Sequence, residues 1–306
     1  MARIHKRKKD EEFEIPVNIF DFDTLINLTI KNASKLKEYF RLNLIYYQLI
    51  SGKGLEFDKI KEYVPGDDTR RIDWKIYART NQLYIRHYKE ERNFDIVIIL
   101  DVSNSMLLGT NEYTKNEFAS LIAGTLAFAA TEAGDNIGGG LFSDKVDLLL
   151  DPEPEFYNLL NSMAKKENYG GKKNWPKLTK RILSTYSSDS IIFIISDFLN
   201  TDIHKFLPEL STGFAKVYGI MVRDPIDNKL PKGVGKVYLK DPETKEVVVT
   251  DLDVLREEYE LLNRREIEKM KDLFHSYDQL FFHLETGTEF AIEFVKAMGD
   301  ERVIIS

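Results

Sequence analysis

Asp101-Val102-Ser103-Asn104-Ser105 places one carboxylate and two hydroxyls on alternate residues, directly after the apolar run Ile96-Val97-Ile98-Ile99-Leu100. Oxygen donors with few carboxylates among them suit Mg²⁺ or Mn²⁺, hard cations that take octahedral oxygen shells and keep several waters. A second carboxylate, Asp197, follows the other strongly apolar run, Ile191-Ile192-Phe193-Ile194-Ile195-Ser196. Two acids ending adjacent parallel strands can share one cation, and an acidic side chain from a partner can replace one of its waters. The same residues also have a plainer use. Ser103 and Ser105 can satisfy free backbone donors at a loop or helix start, with Asp101 hydrogen-bonded to the loop.

Other chemistries find less support. With no cysteine in the chain, disulfides, thiol nucleophiles and Cys-type zinc sites are excluded, so any metal is held by oxygen or imidazole. His5, His87, His204, His275 and His283 are scattered without metal-ligand spacing. Gly138-Gly139-Gly140 has neither a Gly-x-Gly-x-x-Gly register nor a following helix, and reads as small residues in a crowded strand. There is no Gly-x-Ser-x-Gly elbow. Asp101 as a phosphoryl acceptor would want a second acid where Ser103 stands. The expectation is a protein without catalytic residues.

These residues need a scaffold. The sequence has 306 residues, 43% of them hydrophobic, with 19 Phe and 15 Tyr, which is enough apolar area for a sizeable core. Strand-like runs at residues 96–100, 137–143, 146–150, 191–196, 217–222 and 280–284 alternate with helical stretches at 155–165, 176–186, 202–210, 252–277 and 289–298. Thr114-x-x-Glu117 forms a capping box for a further helix, and Gly134 stops it. Such alternation predicts an α/β fold, a mostly parallel sheet with helices on both faces. The carboxyl edge of such a sheet, where Asp101 and Asp197 fall, is where ligands collect. Ser143-Asp144-Lys145 is short enough for a hairpin, which makes residues 146–150 an antiparallel edge strand. A second hairpin, residues 237–239 with 247–249, reads as an insertion.

Before the sheet, residues 1–12 form a charged, flexible tail without periodicity. They lack the apolar core of a signal peptide, and a polybasic contact with membrane stays open. Residues 13–93 read as a helix, placed at 34–50 with Ser34 as cap, followed by a small β-rich module around the Pro65-Gly66-Asp67-Asp68 turn. The sheet domain takes residues 94–306.

The run Gly52-Lys53-Gly54-Leu55-Glu56-Phe57, then Tyr63-Val64-Pro65-Gly66-Asp67-Asp68-x-Arg70-x-Ile72-Asp73-Trp74, then Ala78-Arg79 and Glu91-Arg92, then Asp101-x-Ser103-x-Ser105-Met106, resembles the domain of unknown function 58 family over about residues 50–300. The resemblance implies a von Willebrand factor type A-like, Rossmann-like domain with a metal-ion-dependent adhesion site. Asp101, Ser103, Ser105 and Asp197 fall in its ligand positions. It also implies partnership with MoxR-type AAA+ ATPases in assembling or maturing other complexes. The loop that usually adds a Thr after paired glycines reads Gly170-Gly171-Lys172-Lys173-Asn174 here. Asn174 or Thr179 are the candidate substitutes, or an ammonium from Lys172 supplies positive charge without a metal.

Arg70, Arg71, Asp73, Trp74, Arg79, Glu91 and Arg92 form a dense charged and aromatic cluster, suited either to an ion-pair lattice between modules or to a partner-binding face. A net charge of −7 and interleaved acids argue against nucleic acid as a ligand. No apolar run is long enough to span a bilayer. The expected setting is cytoplasmic, and the expected activity is protein interaction rather than catalysis.

Overall fold

Residues 96–100 alternate between two apolar layers: Ile96, Ile98 and Leu100 pack in one, Val97 and Ile99 in the other, all fully buried. A strand covered on both faces has to be apolar throughout, hence the unbroken run. The structure, a computed structural model, describes residues 16–39, 60–63, 77, 82–86, 93–199, 201–241 and 246–287.

In chain order the described elements begin with helix α1 (Phe22–Tyr39) and a short antiparallel pair, β1 (Ile60–Glu62) and β2 (Tyr84–Arg86). The main body runs β3 (Asp95–Asp101), α2 (Lys115–Ala133), β4 (Asn136–Phe142), β5 (Asp147–Glu153), α3 (Tyr157–Met163), α4 (Trp175–Thr185), β6 (Ile191–Ser196), α5 (Leu207–Gly213), β7 (Lys216–Arg223) and the single turn α6 (Pro225–Asn228). The hairpin β8 (Lys236–Lys240) and β9 (Val247–Asp251), the long helix α7 (Leu252–Ser276) and β10 (Leu280–Glu285) follow. Six strands form one sheet in the order β10-β7-β6-β3-β4-β5, parallel except for the β4–β5 pair. The mixed α/β architecture, the antiparallel β5 edge and the separate β8–β9 hairpin are those the sequence predicts.

From β3 the chain passes to β4 on one side, whereas from β6 it passes to β7 on the other. The carboxyl ends of β3 and β6 therefore flank the point where strand order reverses, the position at which open α/β sheets leave a crevice. α2, α3 and α1 cover one face through Phe118, Ile122, Leu159, Leu160 and Leu25. α4, α5 and α7 cover the other through Leu178, Ile182, Leu207, Leu210, Met270 and Phe274. The Thr114–Glu117 capping box is present, and Gly134 ends α2 in the left-handed region (φ 87°). Gly139 and Gly140 lie where any Cβ would run into the backbone of β3 and β5, at Ile98 and Leu148, so the triple glycine serves close strand packing.

The first helix corrects the sequence reading. α1 starts at Phe22, with Asp21 accepting from the Thr24 N–H (2.8 Å) and from Thr24 Oγ1 (2.8 Å). Ser34 is not a cap. It lies inside the helix, where its Oγ donates to the Ile30 carbonyl (2.8 Å), the local bond a serine makes when the turn is already formed. Leu25, Thr29 and Ala33, spaced by four residues, make the buried stripe that docks α1 on α2. The predicted continuation over 40–50, the helix at 289–298, the charged tail and most of the predicted β-rich module lie outside the described residues. So do Arg70, Arg71, Asp73, Trp74, Arg79, Glu91 and Arg92. Among the described residues, no helix is long and apolar enough to cross a membrane.

Candidate functional site

Asp101 leaves the end of β3 fully buried. Its Oδ1 accepts from the Ser103 N–H (2.9 Å), and its Oδ2 accepts from Ser196 Oγ (2.6 Å). Ser196 in turn accepts from the Phe198 N–H (3.0 Å), so one hydroxyl ties the end of β6 to the carboxylate of β3. Ser103 caps the one-turn 3₁₀ segment Asn104–Leu107 by backbone position only, with no side-chain capping bond. Its Oγ faces Ser105 Oγ at 3.3 Å. Of the plainer use, the bond from the loop to Asp101 is present, whereas the Ser103 hydroxyl does not cap the helical turn.

Asp197, also fully buried, sits beside Phe198, whose backbone takes the left-handed region (φ 51°). Such a conformation in a bulky residue costs roughly 1–3 kcal/mol and persists only where surroundings enforce it. Here the ring is wholly buried, stacked on Trp175 (centroids 5.6 Å) and edge-on to Phe281 (5.7 Å). That packing fixes the bend at which Asp197 turns toward β3.

Two ammoniums fill the space around the carboxylates. Lys115 Nζ, from the first turn of α2, donates to Asp197 Oδ2 (2.9 Å) and to Asp227 Oδ2 (2.9 Å). Asp227 is held by the α6 capping box, where it accepts from the Asp224 N–H (3.0 Å). Lys173 Nζ donates to Ser105 Oγ (2.6 Å), lies 3.0 Å from Asp197 Oδ1 and stands 3.9 Å from Asp101 Oδ2. Burial alone would raise both carboxyls. At Asp197 the two lysines outweigh it and hold the carboxyl well below the usual range, whereas at Asp101 burial prevails over Lys173 and the carboxyl is pushed up. Burial opposes the Lys115 charge, yet Asp197 and Asp227 together raise its pKa. Arg223, at the end of β7, is 1% exposed and makes a 3.5 Å ion pair with Glu266. Its charge adds to the lowering at Asp197.

The loop that delivers Lys173 is clamped on both sides. Gly170 N–H donates to the Val102 carbonyl (2.8 Å), Asn104 N–H to the Gly171 carbonyl (2.9 Å) and Gly171 N–H to Asn104 Oδ1 (3.2 Å). Lys172 N–H donates to Asp144 Oδ1 (2.7 Å), and Asp144 N–H donates to the Lys172 carbonyl (2.7 Å). Gly170 and Gly171 have φ of 108° and 89°, a reversal two successive glycines make without steric cost. Lys172 stays exposed on the rim while the next side chain enters the site. The ammonium that approaches the carboxylates is therefore that of Lys173 and not that of Lys172.

Of the sequence-predicted residues, Asp101, Ser103, Ser105 and Asp197 come together. Asn174 does not join them: its Oδ1 caps α4, accepting from the Lys177 N–H (3.1 Å). Thr179 is buried in α4, and its Oγ1 has no hydrogen-bond partner among the described residues, so no hydrogen bond joins it to the carboxylates. As arranged, the donor set does not fit a divalent ion. Lys173 Nζ sits against Ser105 and Asp197, the oxygens such an ion would need, and the loop offers no replacement hydroxyl. The sequence reading missed Lys115, Lys173, Ser196 and Asp227. Only Ser196, adjacent to Asp197 at a strand end, carried a local signal.

Among known proteins, the family model described as "Protein of unknown function DUF58" matches residues 59–269. The uncharacterized protein Rv1480 of Mycobacterium tuberculosis and the uncharacterized protein Mb1516 of Mycobacterium bovis are each 28% identical over 219 residues, 69% of this chain and 68% of theirs. Of solved structures, the conserved hypothetical protein BatB from Bacteroides thetaiotaomicron is 14% identical with a TM-score of 0.41, covering 68% of this chain and 98% of that one. An aerotolerance-related membrane protein from Bacteroides fragilis is 14% identical with a TM-score of 0.43, covering 68% and 100%.

Proposed function

We propose, from the premise that this chain belongs to the family described as protein of unknown function DUF58, that it is a non-enzymatic protein-interaction component of the von Willebrand type A-like class, working in the cytoplasm. Its strand-end loops form the binding edge, and no divalent cation is required. The observation that carries this reading is the closure of the carboxylate pair. Asp101 and Asp197 are wholly buried and engaged by Ser196, the Ser103 N–H, Lys115 and Lys173, an arrangement suited to locking loops rather than to attacking a substrate. The exposed residues Leu108, Asp144 and Lys172 lie on the loops so locked.

The partner in this reading is the one the sequence resemblance implies, a MoxR-type AAA+ ATPase with its client complexes. A second reading keeps the cation: Asp101, Ser103, Ser105 and Asp197 converge as an adhesion-type site would have them, and Mg²⁺ or Mn²⁺ there would receive a partner carboxylate once Lys173 had left. Interferometry of the purified chain on an immobilised, nucleotide-free MoxR-type ATPase from the same organism separates them. The metal-free reading expects binding that survives chelator and weakens at least about tenfold, or ~1.4 kcal/mol, in Leu108→Arg or Lys172→Glu. Loss of binding in chelator favours the cation. Turnover of a phosphoester or nucleotide panel that falls with Asp101→Ala would return the protein to the enzymes.

A further inference from the structure

We infer that Lys173 is the resident cation of the strand-end site, and that this one side chain closes a latent divalent-cation position. The inference rests on the metal-free reading of the same cluster, but metal binding to the purified chain is scored without a partner, so the two fail separately.

Position comes first. Lys173 Nζ contacts Ser105 Oγ and Asp197 Oδ1 and stands 3.9 Å from Asp101 Oδ2, three of the four residues whose oxygens converge. Its side chain is 6% exposed, so the charge is committed to the interior. The delivery is built in: two left-handed glycines and reciprocal bonds to Asn104 and Asp144 fix the loop one residue before the lysine. A swinging surface lysine would need none of these.

Charge decides the rest. Lys115 and Lys173 stand against Asp101, Asp197 and Asp227, two ammoniums to three carboxylates. A divalent ion added beside both lysines would meet two ammoniums in a buried space, where repulsion is poorly screened. With Lys173 removed, the ion faces one ammonium instead of two and gains Asp101, Asp197, Ser103 and Ser105 as donors. Lys173 is thus a tethered monovalent cation standing where a free divalent one would bind, always present because it is covalently attached.

The test uses the full chain and Mn²⁺ alone, followed by paramagnetic resonance of free Mn²⁺ and by calorimetry. Wild type and Lys173→Arg should show no saturable binding below about 1 mM, the weak end of protein sites for hard cations. Lys173→Thr and Lys173→Ala should each gain one saturable site at least tenfold tighter. That site should vanish in Lys173→Thr/Asp101→Asn. Thermal melts with and without Mn²⁺ cover a variant that is unstable alone, since Mn²⁺ should restore its melting temperature. Asp101-dependent Mn²⁺ binding by wild type overturns the inference. So does a folded Lys173→Thr or Lys173→Ala that gains no site, or failure of Mn²⁺ to rescue either one.

Discussion

Lys115 Nζ lies 2.9 Å from Asp197 Oδ2, with side-chain exposures of 1% and 0%. The pair joins the start of α2 to the end of β6, and Asp227 adds a second carboxylate at the same distance. Removing one partner of a buried pair leaves an uncompensated charge, which costs far more than the intact pair contributes. Lys115→Met should therefore lower unfolding free energy by about 3–5 kcal/mol in urea titration. Lys115→Met/Asp197→Asn should recover part of that loss, and strict additivity in the double-mutant cycle would show that the two side chains do not act as a pair.

The loop glycines make a paired comparison. Gly171 has φ 89° and a Cβ there would meet Asp144 Oδ1; Gly134 has φ 87° and open space around it. Both alanine substitutions bear the left-handed penalty, on the order of 1 kcal/mol. Only Gly171→Ala also displaces the clamp on Lys172, so its loss should be the larger by about 1–2 kcal/mol. Equal melting temperatures for the two variants would remove the clamp's importance.

His283 on β10 supplies a pH dependence. Burial, then the charges of Arg223 and Lys271, lower its pKa from 6.5 to about 4, and its Nε2 is buried without a hydrogen-bond partner among the described residues. Arg223 itself pairs with Glu266 on α7. The folded state thus binds fewer protons than the unfolded chain between the two values. Stability is fully present above pH 6.5 and is lost as pH falls toward about 4. Because the ring keeps some solvent contact, the loss should be about 1–3 kcal/mol. Chemical denaturation across this range, compared with His283→Phe, reads it as a difference curve that a flat result would contradict.

The docking of α1 is equally open to measurement. Gly124 on α2 faces Thr29 so closely that an added methyl would collide with Oγ1, an atom that already lacks a hydrogen-bond partner among the described residues. Gly124→Ala should cost roughly 1–3 kcal/mol by overpacking. Thr29→Ala should be close to neutral, because it deletes an unsatisfied buried hydroxyl. The combined variant should then melt above Gly124→Ala alone.

Features that depend on neighbours along the chain are legible in the residues alone. Apolar runs at 96–100 and 191–196 specify strands covered on both faces, Thr114 and Glu117 specify a helix start, and Asp101 and Asp197 specify acids at strand ends. Each is a local pattern with a local physical cause, so each was legible. The start of α1 was misread because its Asp21 cap and its Leu25, Thr29, Ala33 stripe are weaker signals than the aromatic run that follows.

Which cation meets Asp101 and Asp197 was decided only in three dimensions. Lys172 and Lys173 are identical as letters. The choice falls to Lys173 because Asn104 and Asp144, from two other loops, hold the backbone of Gly171 and Lys172 and turn the next side chain inward. Lys115, Ser196 and Asp227 join for the same reason: sheet order brings the carboxyl end of β6 beside that of β3 and under the start of α2. Charge compensation in a buried site is a sum over segments distant in sequence, and only the packed sheet fixes which of them are present.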